Sequence, residues 1–127
     1  MGKRDGAVAG TVSWVDLQTP DLQKARKFYG ELLGWTFEGG DDETTGFYTM
    51  ARVAGCKVAG MAKLREGSRF PPMWSVYLAT DDVDATARAV REAGGEVVVP
   101  PMDVMDQGRM AYFAGPTGAY FGVWQST

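Results

Sequence analysis

Hydrophobic and polar residues alternate over residues 11–18, which read Thr-Val-Ser-Trp-Val-Asp-Leu-Gln and are rich in β-branched and aromatic side chains. A two-residue period of this kind predicts a β-strand. The next residues, Thr19 and Pro20, suit the N-cap and the first turn of a helix, and Gly34 suits its end. Apolar residues recur between them at helical spacing, which predicts an inward helix face of Leu22, Ala25, Tyr29, Leu32 and Leu33.

Shorter segments with strand character follow this helix. An acidic turn over residues 39–45 separates the first of them from the second. A charged spacer over residues 64–72 ends in two prolines, which is typical of a linker. The strands predicted between the helix and the linker cover residues 35–38, 46–53 and 57–63.

The second half of the chain repeats this order. A strand over residues 73–80 precedes a helix over residues 82–93, whose inward residues are predicted to be Val83, Ala87 and Val90. An offset of 61 residues superposes Asp21 on Asp82 and Gly34 on Gly95. The last three predicted strands cover residues 96–99, 108–114 and 119–125.

The repeated unit is therefore βαβββ, and a unit that cannot close its own core is expected to pair with its copy. We predict an α+β fold with a flexible tail over residues 1–10 and a single domain over residues 11–127. The two modules of that domain cover residues 11–63 and 73–127.

Composition and charge narrow the classes of function. The 127 residues suffice for one compact domain, and a net charge of −3 would not attract a phosphate backbone, so we expect no nucleic-acid partner. No apolar run reaches the roughly 18 residues of a membrane span. The single cysteine, Cys56, and the lack of a signal-like apolar segment after Arg4 favour the cytoplasm. The chain contains no histidine, so Cys56 has no imidazole to activate it.

Four stretches carry a resemblance to a known family. Trp14 begins WVDLQTPDL, which leads into ARKFYGELLGW from Ala25, and the second half contains VYLATDDVD from Val76 and GPTGAYFGVWQ from Gly115. With the βαβββ duplication, these stretches resemble the vicinal-oxygen-chelate superfamily of glyoxalases, bleomycin-resistance proteins and extradiol dioxygenases. The resemblance covers the chain beyond Gly10 and implies a cupped mixed sheet. It says less about activity, because this fold hosts many functions.

The metal-using members of that family take ligands from the first and the last strand of each module. Carried onto this sequence, those positions are Trp14, Gly60, Ser75 and Gly122, which supply no ligand set suited to Fe, Zn, Mn or Ni. The resemblance therefore implies a member without a metal or other cofactor. An all-oxygen magnesium site stays open as an alternative, formed by Asp16, Asp103 and Asp106.

Aromatic and methionine side chains take the place of metal ligands in this interpretation. The two-residue period puts Trp14 and Asp16 on one strand face, and a pocket lined by such residues suits a flat, aromatic or apolar ligand. In relatives a loop over the cavity mouth corresponds to residues 103–107, and Arg109 could anchor an acidic group. The predicted ligand contacts are Trp14, Asp16, Tyr48, Met50, Met61, Ser75, Tyr77, Met105, Met110, Tyr112 and Trp124. Each aromatic residue could instead belong to the core, and Trp124 could be a rim or a dimer contact.

Three functions remain open from the sequence. The first is a metal-free protein that sequesters a drug or natural product in an aromatic-lined cavity, with a homodimer implied by the resemblance. The second is a metal-independent isomerase, lyase or cyclase in which Asp16 or Tyr77 transfers a proton. The third is an accessory dimeric domain with a vestigial pocket.

Overall fold

The computed structural model describes residues 7–41 and 48–127. Within these ranges the fold is α+β, and each half of the chain follows the order β-α-β-β-β, which confirms the predicted fold class. The elements are β1 (Val12–Thr19), α1 (Leu22–Leu33), β2 (Thr36–Gly39), β3 (Thr49–Val53), β4 (Cys56–Lys63), β5 (Met73–Ala79), α2 (Val83–Glu92), β6 (Glu96–Val104), β7 (Gly108–Ala114) and β8 (Tyr120–Ser126). The predicted tail over residues 1–10 and the predicted acidic turn and strand over residues 39–53 lie partly outside the described residues.

The described chain divides into two compact units with the same internal order. The first unit is drawn from Val15–Trp74 and has the strand order β2-β3-β4-β1. The second comprises residues 7–14 and Ser75–Thr127, with the order β6-β7-β8-β5. In each unit the first and the last strand are parallel neighbours, and the other pairs are antiparallel.

Strand register confirms the internal repeat at the level of single residues. Asp16 of β1 pairs with Gly60 of β4, and Tyr77 of β5 pairs with Gly122 of β8. The offset of 61 residues superposes Asp16 on Tyr77, and one residue inserted later in the second half superposes Gly60 on Gly122. The two glycines therefore occupy equivalent places, one in each unit.

Each helix covers an apolar side of the strands in its own unit. Under α1 the buried core consists of Leu17, Ala25 and Met61, with three partly buried neighbours packed against it. Under α2 the side chains of Val83 and Ala87 pack on a core that contains the fully buried Phe113. Burial of this apolar area is the main stabilising contribution to each unit.

The start of α1 differs from the prediction. Its N-cap is Asp21, whose carboxylate accepts a hydrogen bond from the backbone nitrogen of Lys24 at 3.0 Å, so the helix begins two residues later than a Thr19 cap would allow. Thr19 instead accepts a hydrogen bond from the backbone nitrogen of Asp21. The predicted end is confirmed, because Gly34 caps the helix in the left-handed region, with φ of 72°.

The inward face of α1 is shorter than predicted. Leu22, Ala25 and Tyr29 contribute to the core, but Leu32 is 60% exposed and Leu33 is 50% exposed. The last helical turn therefore presents apolar side chains to solvent. In α2 the predicted inward residues Val83, Ala87 and Val90 all pack on the core.

Strand β6 is longer than predicted, so only Met105–Gln107 of the predicted loop over residues 103–107 lie outside a strand. β6 continues through Pro100 and Pro101 to Val104, with register shifts between Val97 and Val99 and between Val99 and Met102. Prolines are tolerated there because β6 lies at the end of the strand order of the second unit and the irregular register removes the need for their missing N–H groups. Neither helix of the described chain is long and apolar enough to cross a membrane.

Candidate functional site

Strand alternation in the first unit separates a helix-facing side from a side that carries Asp16. Leu17 packs under α1, so Asp16 projects from the opposite side of β1. Gly60 is the register partner of both Asp16 and Met50, which places these three residues in one row across β1, β4 and β3. The ring of Tyr48 lies over Gly60, because a Cβ atom at this position would overlap the tyrosine hydroxyl.

Asp16 is a buried carboxyl group with two side-chain hydrogen-bond partners. Gln18 donates from Nε2 to Oδ1 of Asp16 at 2.8 Å, and the Tyr48 side chain is the second partner. Loss of solvent raises the pKa of Asp16 to about 6, against the opposing effect of the two hydrogen bonds. The group can therefore change its protonation state near neutral pH, which a proton-transfer residue requires.

The second unit has an equivalent side, on which tyrosines replace the carboxylate. Gly122 is the register partner of both Tyr77 and Tyr112, and the ring of Tyr77 covers Gly122 as Tyr48 covers Gly60. The hydroxyl groups of Ser75 and Tyr112 share a buried hydrogen bond of 2.8 Å. This side faces away from α2, since Phe113, the next residue of β7, belongs to the core under that helix.

Three tyrosine rings form a row within the second unit. The ring centroids of Tyr77 and Tyr112 are 6.2 Å apart, and those of Tyr112 and Tyr120 are 6.0 Å apart with an interplanar angle of 13°. The first two rings are buried, whereas Tyr120 is 39% exposed. The row therefore leads from the interior of the unit to an accessible ring.

Sequence reasoning missed Tyr120, although a signal for it exists. Tyr120 precedes Gly122 by two residues in β8, so the same two-residue period that selects Gly122 and Trp124 also selects Tyr120. Met110 pairs with Trp124, which brings both predicted residues to the side of the tyrosines. One edge of the Trp124 indole lies against Gly108, where a Cβ atom would be 2.5 Å from the ring.

Three other predicted contacts lie elsewhere. Met61, predicted to contact a ligand, is fully buried in the core under α1 with Leu17, on the side of the strands opposite to Asp16. Met105 lies in the turn between β6 and β7 and is 64% exposed, beyond the last registered pair of that hairpin. Trp14 is partly buried and is grouped with the second unit, whereas Asp16 is grouped with the first.

Arg109 is already paired within the chain. Its guanidinium group donates from Nε and Nη2 to the two carboxylate oxygens of Asp84, each at 3.0 Å, and from Nη1 to Asp103 at 3.0 Å. The hydrogen bonds from Arg109 hold the pKa of the Asp84 carboxyl below its usual range. An acidic ligand anchored by Arg109, as the sequence suggested, would therefore have to compete with two carboxylates of the chain itself.

The residues at the four metal-ligand positions of the family do not fit a transition metal. Tyrosine rings fill the space above Gly60 and Gly122, where a ligating side chain would have to project. Ser75 already shares its hydroxyl with Tyr112. Among the described residues, no group of three or more His, Cys, Asp or Glu side chains is placed to hold a metal ion, which also removes support for the magnesium alternative there.

Solved structures with the same fold include methylmalonyl-CoA epimerases. The enzyme from Mycobacterium tuberculosis aligns with a TM-score of 0.63 and 19% identity over 96% of this chain and 91% of its own. The Streptomyces coelicolor enzyme, as an E43Q variant with 2-nitronate-propionyl-CoA, aligns with a TM-score of 0.66 and 16% identity over 94% of this chain and 99% of its own. At these identities the likeness concerns the fold alone.

Curated relatives are closer in sequence but longer. The protein named "Putative glyoxylase CFP32" from Mycobacterium tuberculosis is 44% identical over 99% of this chain and 49% of its own length. The "Anthracycline biosynthesis protein DnrV" from Streptomyces peucetius is 40% identical over 91% of this chain and 47% of its own length. This chain thus spans about half the length of these relatives.

A family profile covers nearly all of the repeated region. It matches residues 11–123, from the start of the first predicted strand to the core residue Val123 of β8. The duplicated order of elements, the paired glycines at equivalent registers and this match agree with one another. The chain belongs to the Glyoxalase/Bleomycin resistance protein/Dioxygenase superfamily.

Proposed function

We propose that this protein binds an aromatic or apolar small molecule, a drug or a natural product, without a metal ion, and sequesters it. The observation that carries the proposal is the row of Tyr77, Tyr112 and Tyr120, which ends in an accessible ring stacked within 13° of its neighbour. A planar ligand would add one more ring to this stack. Aromatic pairs contribute about 0.5–1.5 kcal/mol beyond the area they bury.

The relatives support the chemical class of the ligand. Two proteins at 40% and 39% identity are named as anthracycline biosynthesis proteins, from Streptomyces peucetius and from Streptomyces sp.. Fused-ring aromatic compounds have the flat apolar faces that stack on tyrosine. The sequestering role is our proposal for this chain, and it predicts stoichiometric binding without turnover.

Titration with a water-soluble anthraquinone tests this proposal. We expect saturable quenching of protein fluorescence and a loss of affinity of about 5- to 10-fold in Tyr120→Ala, which corresponds to about 1–1.4 kcal/mol. Tyr120→Phe is the matched control, because it keeps the ring and should keep the affinity. Equal affinity of the parent and a folded Tyr120→Ala variant would show that the ligand does not stack on this ring.

Trp14→Ala examines the wider set of predicted contacts. If Trp14 belongs to the ligand site, its removal weakens anthraquinone binding while the thermal unfolding midpoint shows that the protein remains folded. Unchanged binding in this variant would confine the site to the tyrosine row. No response of any variant or of the parent to the titration would favour the accessory domain with a vestigial pocket.

Proton transfer is the second candidate function, and the burial and hydrogen bonding of Asp16 support it. A carboxyl group with a pKa of about 6, held by Gln18 and Tyr48, is suited to accept a proton from a carbon or oxygen acid. Such chemistry would make the protein a metal-independent isomerase, lyase or cyclase. The phenol of Tyr77 in the second unit is the alternative proton-transfer group.

Loss of turnover with retained binding would distinguish this second function. We expect Asp16→Asn to abolish conversion of a candidate aromatic substrate while its affinity stays within about 2-fold. Tyr77→Phe provides the comparison for the alternative group. Full activity in both variants would exclude proton transfer by these residues.

We also propose that the chain forms a homodimer in the cytoplasm. The exposed apolar side chains of Phe28, Leu32 and Leu33 on α1 form a surface that a second copy could cover. The exposed free thiol of Cys56 is compatible with a reducing compartment. Sedimentation at several protein concentrations tests the dimer, and replacement of Leu32 with Glu should shift the equilibrium to the monomer.

A further inference from the structure

A cavity of about 300 Å³ lies in the second unit, at the ends of the parallel strands β5 and β8. It does not belong to the row of tyrosines. The residues that give it chemical character are three hydroxyl side chains, a carboxylate, an amide and an indole. They are Ser13, Thr80, Ser126, Asp81, Gln125 and Trp124.

Hydrogen bonds within the chain orient several of these groups. Trp124 donates from Nε1 to the hydroxyl of Ser126 at 3.2 Å, and Gln125 accepts from the backbone nitrogen of Val83 at 2.9 Å through Oε1. The hydroxyl of Thr80 is 2.7 Å from that of Thr86. A wall whose side chains are already held in place loses less entropy when a ligand binds.

The polar groups of the cavity define the ligand that would fit. Ser126 has a hydroxyl hydrogen to donate, and Gln125 has its amide NH₂ group, so both can bind hydroxyl oxygens of a ligand. Asp81 is an exposed aspartate and supplies the negative charge at this wall, which favours a protonated amine. The indole of Trp124 offers an apolar ring that can interact with a cation or with the C–H face of a saturated ring.

The corresponding crevice of the first unit has a different composition. It encloses about 240 Å³ where α1 begins and β4 ends, and Asp21 and Lys63 both line it. Its lining thus holds charges of both signs, and Asp21 is committed to the helix N-cap. The hydroxyl groups and the indole distinguish the cavity of the second unit from this crevice.

We propose that the cavity of the second unit binds a polyhydroxylated amine of the size of one amino-sugar ring. Asp81 pairs with the ammonium group, Ser126 and Gln125 bind hydroxyl groups, and Trp124 packs on the ring. Trp124 is the one predicted contact of the aromatic ligand that also lines this cavity, whereas the stacking row of Tyr77, Tyr112 and Tyr120 does not line it. Either proposal can therefore fail without the other.

Titration with glucosamine, followed by ¹H–¹⁵N NMR, tests the site. We expect saturable shifts of the Trp124 indole N–H and the Gln125 amide signals with a Kd of about 1–10 mM, and binding of N-acetylglucosamine, which lacks the charge, at least about 5-fold weaker. Asp81→Asn should weaken glucosamine binding by about 5-fold or more, whereas Asp106→Asn, which removes the same charge from the β6–β7 turn, should change it by less than about 2-fold.

Trp124→Leu separates the contribution of the ring from that of the charge. It should weaken binding of glucosamine and of N-acetylglucosamine by the same factor, because it leaves Asp81 in place. Three results would overturn the proposal: no saturable shift up to about 100 mM glucosamine, equal affinity for the charged and the uncharged sugar, or the same effect of Asp81→Asn and Asp106→Asn.

Discussion

Replacement of Asp16 by asparagine should stabilise the protein at neutral pH and leave its stability in acid unchanged. Burial raises the pKa of this carboxyl from 3.8 to about 6. A folded pKa above the unfolded value means that the folded state holds the proton more tightly. The contribution of Asp16 to stability is therefore fully present below pH 3.8 and is lost as the pH rises through about 6.

The size of the effect follows from the rise in pKa. A rise of about two pH units corresponds to about 3 kcal/mol at 1.36 kcal/mol per unit. The asparagine introduced by Asp16→Asn would carry no charge at any pH, and its amide can accept from Gln18 and donate to the Tyr48 hydroxyl. The difference in unfolding free energy between Asp16→Asn and the parent should thus grow by about 3 kcal/mol between pH 3 and pH 7.5.

Urea denaturation at several pH values measures this difference directly. Asp106→Asn is the matched control, since it changes the net charge equally at an exposed turn. Subtraction of the parent curve removes the contribution of the other titrating groups. If the difference in unfolding free energy between Asp16→Asn and the parent stays constant or decreases as the pH rises, the reasoning is refuted. Burial of the ionised Asp16 carboxylate would then not destabilise the protein.

Three further substitutions test the architecture of the two units by urea or thermal denaturation. Gly122→Ala should destabilise by about 1–3 kcal/mol, because the added methyl group would displace the ring of Tyr77; a neutral result would mean that the ring does not cover this glycine. Phe113→Ala should cost about 3–5 kcal/mol as a large-to-small change in the core under α2, and a cost below about 1 kcal/mol would contradict the burial of its ring. Asp21→Ala should cost about 1 kcal/mol while Thr19→Ala costs less, and the reverse order would restore the cap expected from the sequence.

The repeat could be read from the sequence because it depends on short-range signals. Strand alternation, helix-ending glycines and an offset between the halves of 61 residues, or 62 after one inserted residue, require no knowledge of packing. The same signals located Gly60 and Gly122, whose registers are equivalent in the two units. They also placed Ser75 and Tyr77 on the side of β5 that faces away from α2.

Features that depend on tertiary contacts were predicted less well from the sequence. Helical spacing alone assigned Leu32 and Leu33 to the core, but both side chains are exposed, because spacing does not show which turns of a helix other elements cover. A proline pair normally ends a strand, yet Pro100 and Pro101 are accommodated within β6 by an irregular register. Asp21 and Thr19 are both residue types that commonly cap the N-terminus of a helix, and the sequence alone does not show at which of them the helical backbone begins.

The candidate site was predicted in part for the same reason. A two-residue period assigns side chains to one side of a strand, but it does not show which of them a neighbouring element covers. Met61 illustrates this limit, because an apolar residue in a strand beside Gly60 can face either a ligand or a helix. Tyr120 illustrates the opposite case. The two-residue period was sufficient to place it on the same side of β8 as Gly122, but its stacking on Tyr112 depends on the register between β7 and β8.

The central claim is that this member of the superfamily binds an aromatic small molecule without a metal ion. Calorimetric titration of the chelator-treated protein with a soluble anthraquinone, with excess EDTA throughout, tests that claim directly. Tyrosine rings lie above Gly60 and Gly122, at positions where other members of the family carry metal ligands. We therefore expect saturable binding under these conditions. Binding that appears only after a divalent metal is restored, or no saturable binding with or without the metal, would contradict the claim.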